Sequence, residues 1–157
     1  MFRKLLIAGI LFSLCALPLN YAVAADTNWT EVDITVFDEI NGDFAPRMTG
    51  AIINFIGGKG IGAFLGEGNS IGPIAMARVL DQQAGEVHIS VFTLVQSDVS
   101  GIADGQSIFS NGTFGIEPRI GWDKVPGMEL GLGLLSWTFQ EGEKAQWGGY
   151  AKLVFRP

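Results

Sequence analysis

At 157 residues, with a formal net charge of −6, one cysteine and one histidine, the chain has room for a single packed domain and excludes a two-domain enzyme. Sixteen acids against ten bases, with no Lys/Arg cluster, leave no electrostatic footprint for a phosphate backbone, so nucleic acid is excluded as a partner. The same charge argues against holding anionic lipid headgroups electrostatically but leaves apolar membrane contact open.

Residues 1–25 read as a cleaved secretory signal peptide. Arg3 and Lys4 give a basic start, and Leu5 to Leu14 form an apolar run too short to span a bilayer. Pro18 and Asn20 break that run, and Ala22-Val23-Ala24-Ala25 offers the small-residue cleavage pattern. Residues 26–157 then form one β-rich domain with eight bases against sixteen acids. Cys15 leaves with the leader, so no disulfide is expected and stability must come from packing.

From Asp26 onward, alternation with a period of two dominates. In Thr30 to Val36, the side chains of Val32, Ile34 and Val36 share one face and Glu31, Asp33 and Thr35 the other, the pattern of a half-buried strand. Met48 to Ile56 follows, then a weaker Gly60 to Leu65, then Ile71 to Leu80. Glu86 to Gln96 sets Val87, Ile89, Val91 and Val95 against His88, Ser90 and Gln96. Thr113 to Trp122, Met128 to Phe139 and Trp147 to Phe155 complete a set of about eight strands. Asn41-Gly42-Asp43, Gly57 to Gly60, Gly66 to Asn69, Asp104-Gly105, Asn111-Gly112 and Glu141-Gly142-Glu143 punctuate them, because Gly and Asn supply the positive φ of tight turns. Asn111-Gly112 and Glu141 to Lys144 are the clearest hairpins. Pro73 followed by Ala75, Met76, Ala77, Arg78 and Leu80 would also allow a short helix over Ile74 to Gln83. Glycines inside strands, among them Gly115, Gly121, Gly131, Gly133, Gly148 and Gly149, suggest strong curvature. The fold class is therefore all-β, a small antiparallel barrel of about eight strands, with a β-sandwich as the alternative.

Chemistry-bearing constellations are few. His88 is the only histidine, so zinc, copper and haem centres built on several imidazole or thiolate ligands are excluded, and no metal or cofactor is expected. His88 sits mid-strand beside Ser90, which is not how a nucleophile is presented on a turn. Gly58-Lys59-Gly60-Ile61-Gly62-Ala63 loosely matches a dinucleotide fingerprint, but the glycine-rich continuation cannot open the helix whose amides would meet a pyrophosphate. The pairs Glu31/Asp33 and Glu141/Glu143 could serve acid–base chemistry, although exposed strand and hairpin acids ordinarily solubilise. Asp98 to Asp104 fits no EF-hand spacing. Glu117-Pro118-Arg119 is more unusual: proline implies a bulge or break, across which Arg119 could pair with Glu117. No residue is assigned a catalytic role.

The aromatics carry the ligand reading, with Trp122, Trp137, Phe139, Trp147 and Tyr150 as candidate binding residues. Met128 to Phe139 is apolar on both faces, as expected for core under a covering layer or for a barrel wall with a lipid-facing exterior. The leading expectation is an exported, non-catalytic barrel, periplasmic or extracellular, that binds an apolar small molecule or another cell-envelope component. The alternative is a small eight-stranded outer-membrane barrel, and the second alternative a secreted carboxylate-dependent enzyme. Several short strands and the ending Arg156-Pro157 in place of a terminal aromatic count against the membrane alternative.

Overall fold

The computed structural model describes residues 28–40, 48–66, 70–100, 111–140, 144 and 146–157. The expected leader and the turns at 41–43, 67–69, 104–105 and 141–143 lie outside the described residues. Eight strands form: β1 (Asn28–Ile40), β2 (Met48–Ile56), β3 (Lys59–Gly66), β4 (Ile71–Ala84), β5 (Val87–Asp98), β6 (Asn111–Trp122), β7 (Met128–Gln140) and β8 (Gln146–Phe155). Each pairs antiparallel with its neighbour in sequence, and β8 closes on β1 through Val32↔Phe155 to Ile40↔Gly148, giving a closed up-and-down barrel. Closure removes every free sheet edge. The barrel expected from the strand glycines is the architecture observed.

The start of β1 and the end of β8 lie at one end of the barrel. There the connections are short: Gly57-Gly58, Gly85-Glu86 and residues 123–127. Gly57 and Gly58 both have positive φ (57° and 80°), the requirement of a two-residue turn whose twist matches its strands. At the opposite end the connections run over residues 41–47, 67–70, 99–110 and 141–145.

Two local expectations are corrected. Ile74 to Gln83 is not helical but lies within β4, hydrogen-bonded to both β3 and β5. Local helix propensity is worth only tenths of a kcal/mol per residue and yields to a two-sided ladder. Asn111-Gly112 is not a hairpin turn either. It opens β6, opposite Ser97 and Asp98 on one side and Phe139 and Gln140 on the other. The expected break at Pro118 is present, since the β6–β7 register shifts between Ile116 and Arg119, where proline offers no N–H to the ladder.

The orientation of the two strand faces overturns the most natural reading of the pattern. In β1 the acids point into the barrel, with Glu31 and Asp33 fully buried, while Ile34 and Val36 stand on the outer wall, 47% and 57% exposed. Around the barrel, Ile52, Ile61, Leu65, Ile71, Ile89 and Ile116 also point outward, Ile61 to 71%. Glu31 and Asp33, expected to solubilise the surface, instead line the lumen.

Candidate functional site

The lumen has two unlike halves. From β2 to β5, Ala51, Ile53, Phe55, Phe64, Ile74, Met76, Phe92 and Leu94 pack together, with Tyr150 of β8 against them. Trp29 stacks on Phe55 at 4.5 Å between ring centroids, and Phe55 meets Phe92 edge-on at 5.6 Å. From β1, β6 and β8 come charges that form a belt across the middle of the barrel.

Arg119 is the centre of this belt. Its Nη1 and Nη2 donate to the two carboxylate oxygens of Glu31 at 2.9 and 2.8 Å, and its Nε donates to Glu117 at 2.6 Å. The Glu117–Arg119 pairing anticipated across Pro118 is thus realised, because residues two apart on a strand share a face. The second oxygen of Glu117 accepts hydrogen bonds from Tyr150 Oη and, at 2.9 Å, from Lys152 Nζ. Lys152 also donates to Asp33. Glu31, Asp33, Glu117, Arg119 and Lys152 are all fully buried. Buried ions repay their desolvation only when forked and fully hydrogen-bonded, and Arg119 supplies such a fork. Its guanidinium also lies 4.1 Å from the centroid of Phe92, joining the charged half of the lumen to the apolar half. Tyr150 fits because Gly133 faces it across the β7–β8 pair, and any Cβ there would run into the phenol ring.

A second tier lies toward the short-turn end. Arg78 pairs with Asp81 at 2.6 Å, and Arg156 with Glu129 at 2.8 Å. Both guanidinium groups sit 5.0 Å from the Trp29 ring centroid, while Trp29 Nε1 donates to Glu31. His88 sits between Asp81 and Glu129, its Nδ1 3.3 Å from Glu129 Oε1. This tier borders a cavity of about 280 Å³ at the mouth, lined among others by Gln83, His88, Asp123, Glu129 and Arg156.

No protein-family model, curated protein or solved structure matches this chain.

The candidate binding residues do not converge. Trp122 and Trp147 stand toward opposite ends of the barrel, 43% and 52% exposed, Trp122 at the rim where it also lines the mouth cavity, whereas Tyr150 points into the lumen as part of the belt. The side chains of Trp137 and Phe139 lie outside the described residues; their backbones pair with Trp147 and Gly112. Glu31 and Asp33 are locked in ion pairs, and Glu141 and Glu143 lie outside the described residues. Asp98 accepts hydrogen bonds from Ser70 and Ser100. Gly58 to Ala63 forms a hairpin turn and the start of β3. The belt as a whole was missed by sequence reasoning. Its signal was charge recurring at every second position about an apolar residue, in Glu31/Asp33 and Glu117/Arg119, and a lone charge, Lys152, inside an otherwise uncharged strand.

Proposed function

We propose that the chain is a small outer-membrane-type β-barrel, embedded in lipid through its outer wall and carrying its two longest loops on one side of the bilayer. The observation that carries this reading is the inverted polarity of the barrel: five fully buried charged side chains inside, and a ring of exposed isoleucine, leucine and valine outside. In water this arrangement is unfavourable twice over. Each large aliphatic side chain left exposed forgoes about 1.5–3 kcal/mol of burial, and each buried ion meets a desolvation penalty of several kcal/mol. In a bilayer the outer wall is solvated by hydrocarbon, so only the second cost remains, and the belt's ion pairs offset it.

Further features agree. The strand number is even, the termini of the barrel share one end with the two tight turns Gly57-Gly58 and Gly85-Glu86, and the two longest connections, residues 41–47 and 99–110, share the other, as in bacterial outer-membrane barrels. Six of the eight strands have 10 to 14 residues, long enough for the 9–11 residues that a tilted membrane strand needs. Trp122 and Trp147 stand near the two rims, where interfacial tryptophans gather. No helix among the described residues is long and apolar enough to cross a membrane, so any crossing by those residues is made by strands. The leader read at residues 1–25 would supply export. A soluble apolar-ligand carrier has less support, because the apolar lumen residues pack against one another.

The test is fractionation of expressing cells, an alkaline wash of the membranes, and a gel run with and without boiling. Retention in washed membranes with a heat-dependent mobility shift supports the proposal. Recovery in the periplasm or medium without detergent contradicts it.

A further inference from the structure

Three ion pairs balance most of the charge around the mouth of the barrel: Arg78 with Asp81, Arg156 with Glu129 and, on the rim, Lys124 with Glu86 at 2.7 Å. Asp123 stands outside this balance. Its two carboxylate oxygens accept hydrogen bonds from Gln83 Nε2 at 3.1 and 3.0 Å, and no cation among the described residues lies within ion-pair distance of it. Gln83 Nε2 also reaches Gly85 O at 2.9 Å, so one amide ties the β4–β5 turn to the β6–β7 connection and fixes the carboxylate in place. An amide brings no compensating charge, and a carboxylate has about four acceptor positions, so Asp123 can take a further partner.

Asp123 lines the mouth cavity of about 280 Å³ together with Trp122, Val125, Pro126 and Met128. This volume falls just below the roughly 300–1,000 Å³ of drug-sized ligand sites, so the occupant is small. A carboxylate without a counter-ion, an indole and an aliphatic wall together suit an organic cation: carboxylate and ring quadrupole attract the charge, and the wall takes the alkyl groups. A metal ion is not suited, since no group of three or more His, Cys, Asp or Glu among the described residues is placed to hold one. An anion would meet the charge of Asp123 directly, because the guanidinium of Arg156 in the same lining is held by Glu129. A primary ammonium has three N–H groups to satisfy, whereas a methylated one needs only opposite charge and apolar contact, which this lining offers. We propose that the mouth cavity binds a small methylated ammonium group, its charge met by Trp122 and Asp123 and its methyl groups by Val125, Pro126 and Met128. Such a group is carried by free solutes and by lipid headgroups alike. The site does not rest on the membrane reading, because the cavity lies at the mouth whichever solvent surrounds the outer wall.

The test is heteronuclear NMR of the isotope-labelled protein folded in octyl glucoside micelles, whose headgroup carries no ammonium. The Trp122 indole N–H signal is assigned by its loss in Trp122→Leu. Choline chloride should move this signal saturably at millimolar concentration, while sodium chloride and dimethylbutanol, the neutral carbon isostere of choline, should not. Asp123→Asn keeps an acceptor for Gln83 but not the charge, and should weaken choline binding about tenfold or more; Trp122→Leu, followed by calorimetry, should do the same. A shift that stays linear in choline, an equal response to dimethylbutanol, or unchanged affinity in Asp123→Asn overturns the site. Nanodiscs of phosphatidylcholine and of phosphatidylglycerol then separate the two sources. A Trp122 signal already at its choline-bound position in phosphatidylcholine alone assigns the group to the headgroup, and a signal that moves in both only on adding choline assigns it to a free solute. Failure to enter nanodiscs overturns the membrane reading, and the micelle titration still decides the site.

Discussion

Ile52 lies at the middle of β2, 57% exposed on the outer wall, with Val32 and Ala63 as its cross-strand partners. Its replacement by arginine separates the two solvents that could surround the barrel. In water, a half-exposed side chain with no polar contact to lose should change stability by no more than about 0.5 kcal/mol. At the midplane of a bilayer, an arginine facing lipid costs about 2–4 kcal/mol. That lowers the folding equilibrium roughly 30- to 700-fold. The assay is urea titration of the barrel folded into phosphatidylcholine vesicles, followed by tryptophan fluorescence, for wild type and Ile52→Arg. Lys59→Arg at the β2–β3 turn provides a control expected to behave as wild type. A midpoint for Ile52→Arg matching wild type, or full solubility of the wild-type barrel without lipid or detergent, would show that hydrocarbon does not bathe this wall.

Arg119→Met leaves Glu31 and Glu117 facing each other without their shared cation and should cost about 3–5 kcal/mol in the same titration. Arg119→Lys should restore only part of this, because one ammonium cannot bridge both carboxylates in a fork. Tyr150→Phe removes the hydrogen bond to Glu117 and should cost about 1.5–3 kcal/mol, the range for a bond to a charged group. Gly133→Ala forces the Tyr150 ring aside and should cost about 1–3 kcal/mol by overpacking. Gly57→Ala tests the turn backbone without steric interference, since nothing lies within 4 Å of its missing Cβ. It should cost about 1–2 kcal/mol, whereas Gly57→Asn should stay close to wild type in the same unfolding curves.

Period-two alternation located all eight strands, because the pleat dictates which residues share a face whatever solvent surrounds them. Closure was also legible from strand glycines. Which face turns inward was not, because alternation is symmetric: Val32, Ile34 and Val36 against Glu31, Asp33 and Thr35 reads the same for a soluble sheet and for a lipid-facing wall. The tie is broken only when facing strands are considered together. Glu31 then meets Arg119, and Asp33 meets Lys152, across 88 and 119 residues of sequence, distances no local pattern spans. Glu117-Pro118-Arg119 was the exception, because its pairing and its break are both local. Asn111-Gly112 misled for the converse reason, since a strong turn signal was absorbed into a ladder paired on both sides.

The central claim is that lipid, and not protein or water, surrounds the outer wall. It is tested most directly with single-tryptophan variants, one retaining Trp122 on the outer rim and one retaining Trp29 inside, stacked on Phe55. Each is folded into vesicles of ordinary and of brominated phosphatidylcholine, whose bromines quench indole emission on contact. Strong quenching of Trp122 with Trp29 unaffected is the expected result; no quenching of Trp122, or equal quenching of both, would contradict the inverted barrel.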